Sequence, residues 1–237
     1  MPTTIKVNGL ILKISDTPGK DKLLHVLTRG GFLTAFATPK RSAGKKDFTY
    51  DLFNYCEFVL YETGRGNYLV NSVRPLEYFY PLREDMARLA LAGYLAQLSR
   101  FVAGDADCDC ETLMDLLLSA LSRLSNGADV HAIKPVFELR SAKLLGFTPC
   151  LEAEQKSSEY FFSLEDGRLL LSAAPNTVKL PRSSVVVIYK ILAADGAAAF
   201  DVPQGECTGD IYALAQQYIL FHVERGFSTL DFLNGVL

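Results

Sequence analysis

Leu23-Leu24-His25-Val26-Leu27-Thr28-Arg29-Gly30-Gly31-Phe32-Leu33-Thr34-Ala35-Phe36-Ala37 reads as two short β-prone runs, residues 23–28 and 32–37, divided by a glycine pair. Branched and aromatic side chains favour a pleated surface, and Gly30-Gly31 frees the backbone for a tight reversal. Working outward, residues 5–14, 55–61 and 67–73 repeat the pattern. The breakers between them are Asp16-Thr17-Pro18-Gly19, a polar stretch over residues 38–47, and Gly64-Arg65-Gly66. Five strands in so short a segment suit a small barrel of the OB or SH3-like kind, because closure removes exposed strand edges. The OB arrangement is the first choice. Alternation sets Phe36 opposite Leu33, and Phe58 and Leu60 opposite Val59 and Tyr61, without fixing which face is outward.

After Pro75 and Pro81 the period changes: Met86, Leu89, Ala90, Tyr94, Leu95, Leu98, Phe101 and Val102 recur at three and four, the stripe of an amphipathic helix. A second helix is expected over residues 111–124, stopped by Asn126-Gly127. A third spans 132–145, with Pro135 near its first turn and Gly146 just past its end. Tyr160, Phe161 and Phe162, then Asp166-Gly167, then Leu169, Leu170 and Leu171, predict a β-hairpin across a D-G turn. Helices resume at 183–194 and 210–224, and a short one covers 230–237 behind a cap at Ser228 or Thr229. The fold class is α+β: an OB-type five-stranded barrel domain over residues 1–80 and a helical domain over 81–237, with a hairpin inserted near 158–172.

The 237 residues are 49% hydrophobic and 22% charged, an ordinary globular composition. No apolar run approaches the roughly 18 residues a spanning helix needs, and the first residues lack a signal peptide's apolar stretch, so a cytoplasmic location is expected. Cys56, Cys108, Cys110, Cys150 and Cys207 are odd in number and scattered, which suits reduced thiols. The net charge of −3 conceals an asymmetry: residues 1–80 hold 11 Lys/Arg against 7 Asp/Glu, and the remainder 13 against 20.

Catalytic signatures are missing. His25, His131 and His222 are not spaced to share a metal, and there is no P-loop, nucleophile elbow or G-x-G-x-x-G. Cys108-Asp109-Cys110 has no second thiol pair and reads as a solvated helix cap; Glu84-Asp85 and Glu165-Asp166 fall at a helix start and a turn. The expectation is a protein that is not an enzyme, without metal or cofactor.

The informative stretch is Thr38-Pro39-Lys40-Arg41-Ser42-Ala43-Gly44-Lys45-Lys46, four cations with no acid before Asp47. Such a loop suits a phosphate backbone, where each neutralised phosphate releases condensed counterions without reading sequence. Lys20, Lys22, Arg29, Arg65 and Arg74 lie at predicted strand ends and complete the nucleic-acid-binding candidates. Phe32, Phe36, Tyr50, Phe53, Tyr55, Phe58, Tyr61 and Tyr68 interleave with the charges; exposed rings would stack unpaired bases, and buried ones would be core.

In order along the chain, Gly9-Leu10-Ile11-Leu12-Lys13, Asp21-Lys22-Leu23-Leu24, Leu27-Thr28-Arg29-Gly30-Gly31 and the basic loop resemble the opening of the RecO family of bacterial DNA repair proteins. Leu89-Ala90-Leu91-Ala92-Gly93-Tyr94-Leu95, Phe137-Glu138-Leu139-Arg140, Leu144-Leu145-Gly146-Phe147-Thr148-Pro149 and Phe221-His222 extend the resemblance over nearly the whole chain. It implies a recombination mediator without a catalytic site, associated with the nucleoid, that binds single- and double-stranded DNA, anneals complementary strands and cooperates with RecR. It also implies a helical-domain groove for the acidic carboxyl-terminal tail of single-stranded-DNA-binding protein, with Lys134 and Arg140 the nearest partner-binding candidates. Many members carry two C-x-x-C pairs around the hairpin; here only Cys150 remains, a degenerate zinc-ribbon-like region with no metal expected. The competing reading is an interaction adaptor whose barrel and helices recruit proteins without DNA.

Overall fold

The computed structural model describes residues 4–18, 21–38, 50–64, 67–153 and 155–237. Five strands, β1 (Thr4–Asp16), β2 (Lys22–Thr28), β3 (Gly31–Ala37), β4 (Tyr55–Gly64) and β5 (Asn67–Glu77), close into a barrel in the order β1-β2-β3-β5-β4. All neighbours are antiparallel except β3 and β5, whose parallel pairing of Thr34 with Asn67 and Phe36 with Leu69 shuts the barrel. This is the OB-type arrangement.

The long β1 makes closure possible by serving two partners. Its first half, Thr4 to Leu10, pairs with β4, and its second half, from Gly9 onward, pairs with β2. The handover falls at Gly9, in register with both Thr28 and Cys56. A Cβ there would stand 2.3 Å from Val26 Cγ1 and 3.1 Å from the Leu27 carbonyl oxygen, so only glycine fits the close approach. Inside, Ile11, Leu24, Val26, Ala35, Ala37, Cys56, Phe58 and Leu60 form the core, with Leu33 packed against it. Phe58 and Leu60 therefore point inward, and Phe36 outward. β5 runs past Pro75, which lies in register with Cys56. The β3 pairing ends at Leu69, so beyond it that side of β5 has no strand partner among the described residues, the kind of position at which a strand tolerates proline.

The helices are α1 (Met86–Val102), α2 (Cys110–Ser125), α3 (Val130–Leu144), α4 (Arg182–Ala193), α5 (Thr208–Val223) and α6 (Ser228–Val236). The chain divides into two compact units: Met1–Tyr80 with Ala103–Met114, and Pro81–Val102 with Asp115–Leu237. Within the second unit α3 is central, packed by α1, α4 and α5 and buried on most sides. It begins two residues before the expected start, with Asp129 as N-cap accepting from the His131 N–H at 3.0 Å. Pro135 thus lies inside the helix rather than at its opening turn.

The expected hairpin is a three-stranded sheet in the order β7-β6-β8, formed by β6 (Glu159–Ser163), β7 (Leu169–Leu170) and β8 (Thr177–Pro181). β8 went unseen because Thr177 to Pro181 is a short polar-apolar mixture running straight into α4. The start of α6 also differs: its N-cap is Phe227, without a side-chain cap. The Thr229 N–H donates instead to Gln97 Oε1 on α1 at 3.3 Å, and the Thr229 hydroxyl donates to the same oxygen.

Candidate nucleic-acid interface

Strand alternation gives the barrel two chemically different outer faces. On the β1–β4–β5 side, Lys6, Glu57 and Arg74 meet across three strands: Lys6 Nζ lies 2.9 Å from Glu57 Oε2, and Arg74 Nε donates to Glu57 Oε1 at 3.3 Å. The hydrogen bonds from Lys6 and then Arg74 hold the Glu57 carboxyl below the usual carboxylate range. One carboxylate under two exposed cations leaves the cluster with a net positive charge.

On the β1–β2–β3 side, the outward rows carry His25, Phe32, Thr34 and Phe36. His25 and Phe32 stack with ring centroids 6.0 Å apart and an interplanar angle of 29°. Ser15 Oγ lies 3.4 Å from His25 Nε2, and the Thr34 hydroxyl lies 3.5 Å from Asn67 Oδ1. Lys13 is exposed in register with His25, and Leu69 of β5 sits in register with Phe36. These positions were the ones that alternation alone left unassigned.

Among the predicted cations, Lys22 is half-buried at the strand end in register with Asp16. Arg29, in the β2–β3 turn, donates to Glu111 at 3.1 Å. Arg74 belongs to the Glu57 cluster. Lys20, Lys40, Arg41, Lys45, Lys46 and Arg65 lie outside the described residues. The described part of residues 1–80 holds five Lys/Arg against six Asp/Glu, so the positive excess of this segment resides in those six side chains. Lys6 and Lys13 were not among the expected contacts; their signal was the outward alternation of β1 itself.

The two partner-binding candidates need correction, because neither offers a surface charge. Lys134 is fully buried, bonding Glu138 Oε2 at 3.0 Å and Gln216 Oε1 at 2.9 Å, with its ammonium 4.0 Å from the Tyr212 ring centroid. The Tyr94 hydroxyl donates to Glu138 Oε1 at 2.7 Å. Burial pushes the Glu138 carboxyl up and the Lys134 ammonium down, each partly opposed by the other's charge. Arg140 is buried too and donates to the Leu192 and Ala194 carbonyls at 3.4 and 2.6 Å, while Lys143 donates to Leu192 at 3.2 Å. Both cations thereby satisfy the orphan carbonyls at the end of α4. The exposed cations of this unit include Arg182 and Lys190 of α4, which flank exposed Val186 and Tyr189 and have no ion-pair partner among the described residues.

The remaining reactive groups are dispersed. Among the described residues no three His, Cys, Asp or Glu side chains converge on a metal position. His131 leans on Asp129, and His222 stacks on Phe147 at 4.2 Å, with burial lowering its pKa. Cys56 is buried in the barrel core, which pushes its thiol up to about 12. Cys108 is raised to about 12 by burial and then by its hydrogen bond with Cys110. Asp109 between them caps α2, accepting from the Thr112 N–H at 3.0 Å and the Thr112 hydroxyl at 2.6 Å. No helix among the described residues is long and apolar enough to cross a membrane.

Residues 83–231, more than half of the chain, match the family model described as Recombination protein O C terminal. The chain is similar to DNA repair protein RecO of Alkaliphilus metalliredigens, 27% identical over 98% of this chain and 99% of the relative. It is also similar to DNA repair protein RecO of Acetivibrio thermocellus, 25% identical over 97% and 96% of the respective chains. The protein of that description from Caldicellulosiruptor bescii is 25% identical over 98% of both.

Proposed function

Because this chain belongs to the RecO family of DNA repair and recombination proteins, we propose that it is a non-enzymatic mediator acting on DNA in the bacterial cytoplasm. It binds single- and double-stranded DNA without sequence preference, promotes annealing of complementary strands and helps load recombinase on strands coated by single-stranded-DNA-binding protein. The observation that carries this reading is the barrel closed in OB order. OB folds bind oligonucleotides on the strand 2–3 face and through the connections β1–β2 and β4–β5. In this chain those connections hold Lys20 and Arg65, and the β3–β4 connection holds Lys40, Arg41, Lys45 and Lys46.

RecR and the tail of single-stranded-DNA-binding protein are the proposed protein partners. With Lys134 and Arg140 buried, the surface that suits an acidic, apolar tail is α4, where Val186 and Tyr189 lie between Arg182 and Lys190. Apolar contact would supply affinity there, and the cations would steer approach and favour an acidic partner.

The DNA-binding part is tested by changing Lys40, Arg41, Lys45 and Lys46 to glutamine together. If all four touch phosphates, the dependence of log affinity on log salt for a single strand falls by about 3, at about 0.7 per contact. An unchanged slope removes the loop from the interface. Annealing of complementary oligonucleotides, with and without single-stranded-DNA-binding protein, tests mediation; no acceleration in either condition favours the DNA-independent adaptor.

A further inference from the structure

We propose that Cys108 and Cys110, at the start of α2, form a reversible dithiol/disulfide site, closed by hydrogen peroxide and reopened by a thiol reductant. The site does not depend on the proposed DNA binding and stands or fails without it. The backbone brings the two residues together. Fully extended, two residues span at most about 7.2 Å, and a disulfide accepts Cα separations of about 4.4 to 6.8 Å. The Cys110 N–H donates to the Cys108 carbonyl at 2.9 Å, a three-residue turn that folds the chain back at Asp109 and shortens that span. The two thiols already meet in a hydrogen bond. Both are half-buried, so a small reagent reaches them, whereas Cys56 is sealed in the barrel core.

The oxidation balances with one peroxide. Burial and the shared hydrogen bond keep the proton on Cys108, so the attacking sulfur is that of Cys110. It attacks one peroxide oxygen, the O–O bond breaks, a first water leaves and the sulfur is oxidised to a sulfenic acid. The Cys108 sulfur then attacks the Cys110 sulfur, the S–S bond forms as the S–O bond breaks, and the Cys108 proton departs in a second water. Being one residue away, Cys108 reaches the sulfenic acid before any thiol from solution. Asp105, Asp107, Asp109 and Glu111 are all exposed around the pair, which disfavours an anionic thiol or disulfide and favours a small neutral oxidant. A ring closed across a single residue is strained, and strained, accessible disulfides are the labile ones, so a thiol reductant reverses it. The ring would contain Asp109, whose carboxylate caps α2 through Thr112, and would adjoin Glu111, which pairs with Arg29 of the β2–β3 turn. Oxidation therefore acts on a helix start and its ion pair, not on the core.

The test treats the full chain with hydrogen peroxide, caps remaining thiols with N-ethylmaleimide and digests with trypsin, which releases both cysteines in one peptide, residues 101–123. By mass spectrometry that peptide is expected to lose both maleimide labels and to be two hydrogens lighter than the unlabelled dithiol, and dithiothreitol before capping restores both labels. Cys110→Ser is expected to keep the label on Cys108 at a dose that closes the pair in the parent. Retention of both labels in the parent, at a dose that oxidises the exposed Cys150, overturns the site. So does sulfinic acid at either sulfur without a disulfide, or a covalent dimer joined through residue 108 or 110. Loss of the Cys108 label in Cys110→Ser at that dose also overturns it, because Cys108 then reacts without its neighbour.

Discussion

Replacing Lys134 with methionine leaves the buried Glu138 carboxyl without its cation and held only by the Tyr94 hydroxyl at 2.7 Å. Methionine matches the aliphatic stem and keeps contact with the Tyr212 ring, so the change removes charge and donors without opening a large cavity. Stripping one partner from a buried ion pair costs about 3 to 5 kcal/mol, a large share of the stability of an ordinary domain. The cost depends on pH in a defined direction. The folded pKa of Glu138 is already raised above its unfolded value by burial, and losing the Lys134 charge raises it further. A carboxyl with a raised folded pKa carries no penalty below its unfolded pKa, near 4.3, and one that grows as pH rises above that, levelling off only beyond the folded value. The Lys134→Met deficit is therefore expected to shrink between pH 7.5 and pH 5. Adding Glu138→Gln, which still accepts from Tyr94, should recover most of it, a coupling of about 2 to 4 kcal/mol. Urea denaturation followed by circular dichroism at 222 nm, at both pH values and over the full double-mutant cycle, measures this. A Lys134→Met deficit under 1 kcal/mol, or additive single losses, refutes the buried pair.

Gly9→Ala drives a methyl into Val26 and the Leu27 carbonyl, and is expected to destabilise the barrel by about 1 to 3 kcal/mol. Cys56 reports it: in a protein whose other cysteines are serine, Gly9→Ala should label about 5- to 150-fold faster with a thiol reagent. An unchanged rate contradicts the close approach. On α4, Tyr189→Ala and Lys190→Glu should each weaken binding of an acidic, apolar tail peptide in titration calorimetry, the second more strongly at low salt. Full affinity in both variants places the tail elsewhere.

The barrel was largely legible because its breakers are chemical: Gly30-Gly31 and Asp16-Thr17-Pro18-Gly19 interrupt strands whatever surrounds them. The end of β5 was not, because Pro75 stops a paired strand but not one with a free edge, and edge status is a property of the closed sheet. Lys134 and Arg140 were misread for a similar reason. A cation in a helical stretch suits a solvated face as well as a buried partner. Only the packing of α1, α4 and α5 on α3 decides between them. The outer aromatic row was half legible: alternation sorted Phe32 and Phe36 from Leu33, but the sense of inward and outward came with closure.

The division of β1 between two partners also sets a schedule during synthesis. β2 and β3 can pair as soon as residue 37 leaves the ribosome, yet the Thr4 to Leu10 half of β1 waits for β4, which ends at Gly64. At about 5 to 20 residues per second this interval lasts on the order of 1 to 5 s. Throughout it a three-stranded meander exposes a bare edge bearing Ile5 and Val7, open to any neighbouring nascent chain. Lys6 and Asn8 alternate with them, and a charge within an unpaired apolar edge discourages edge-to-edge association. The lysine that later shares Glu57 thus first serves as a gatekeeper, guarding a strand whose partner has not yet been made.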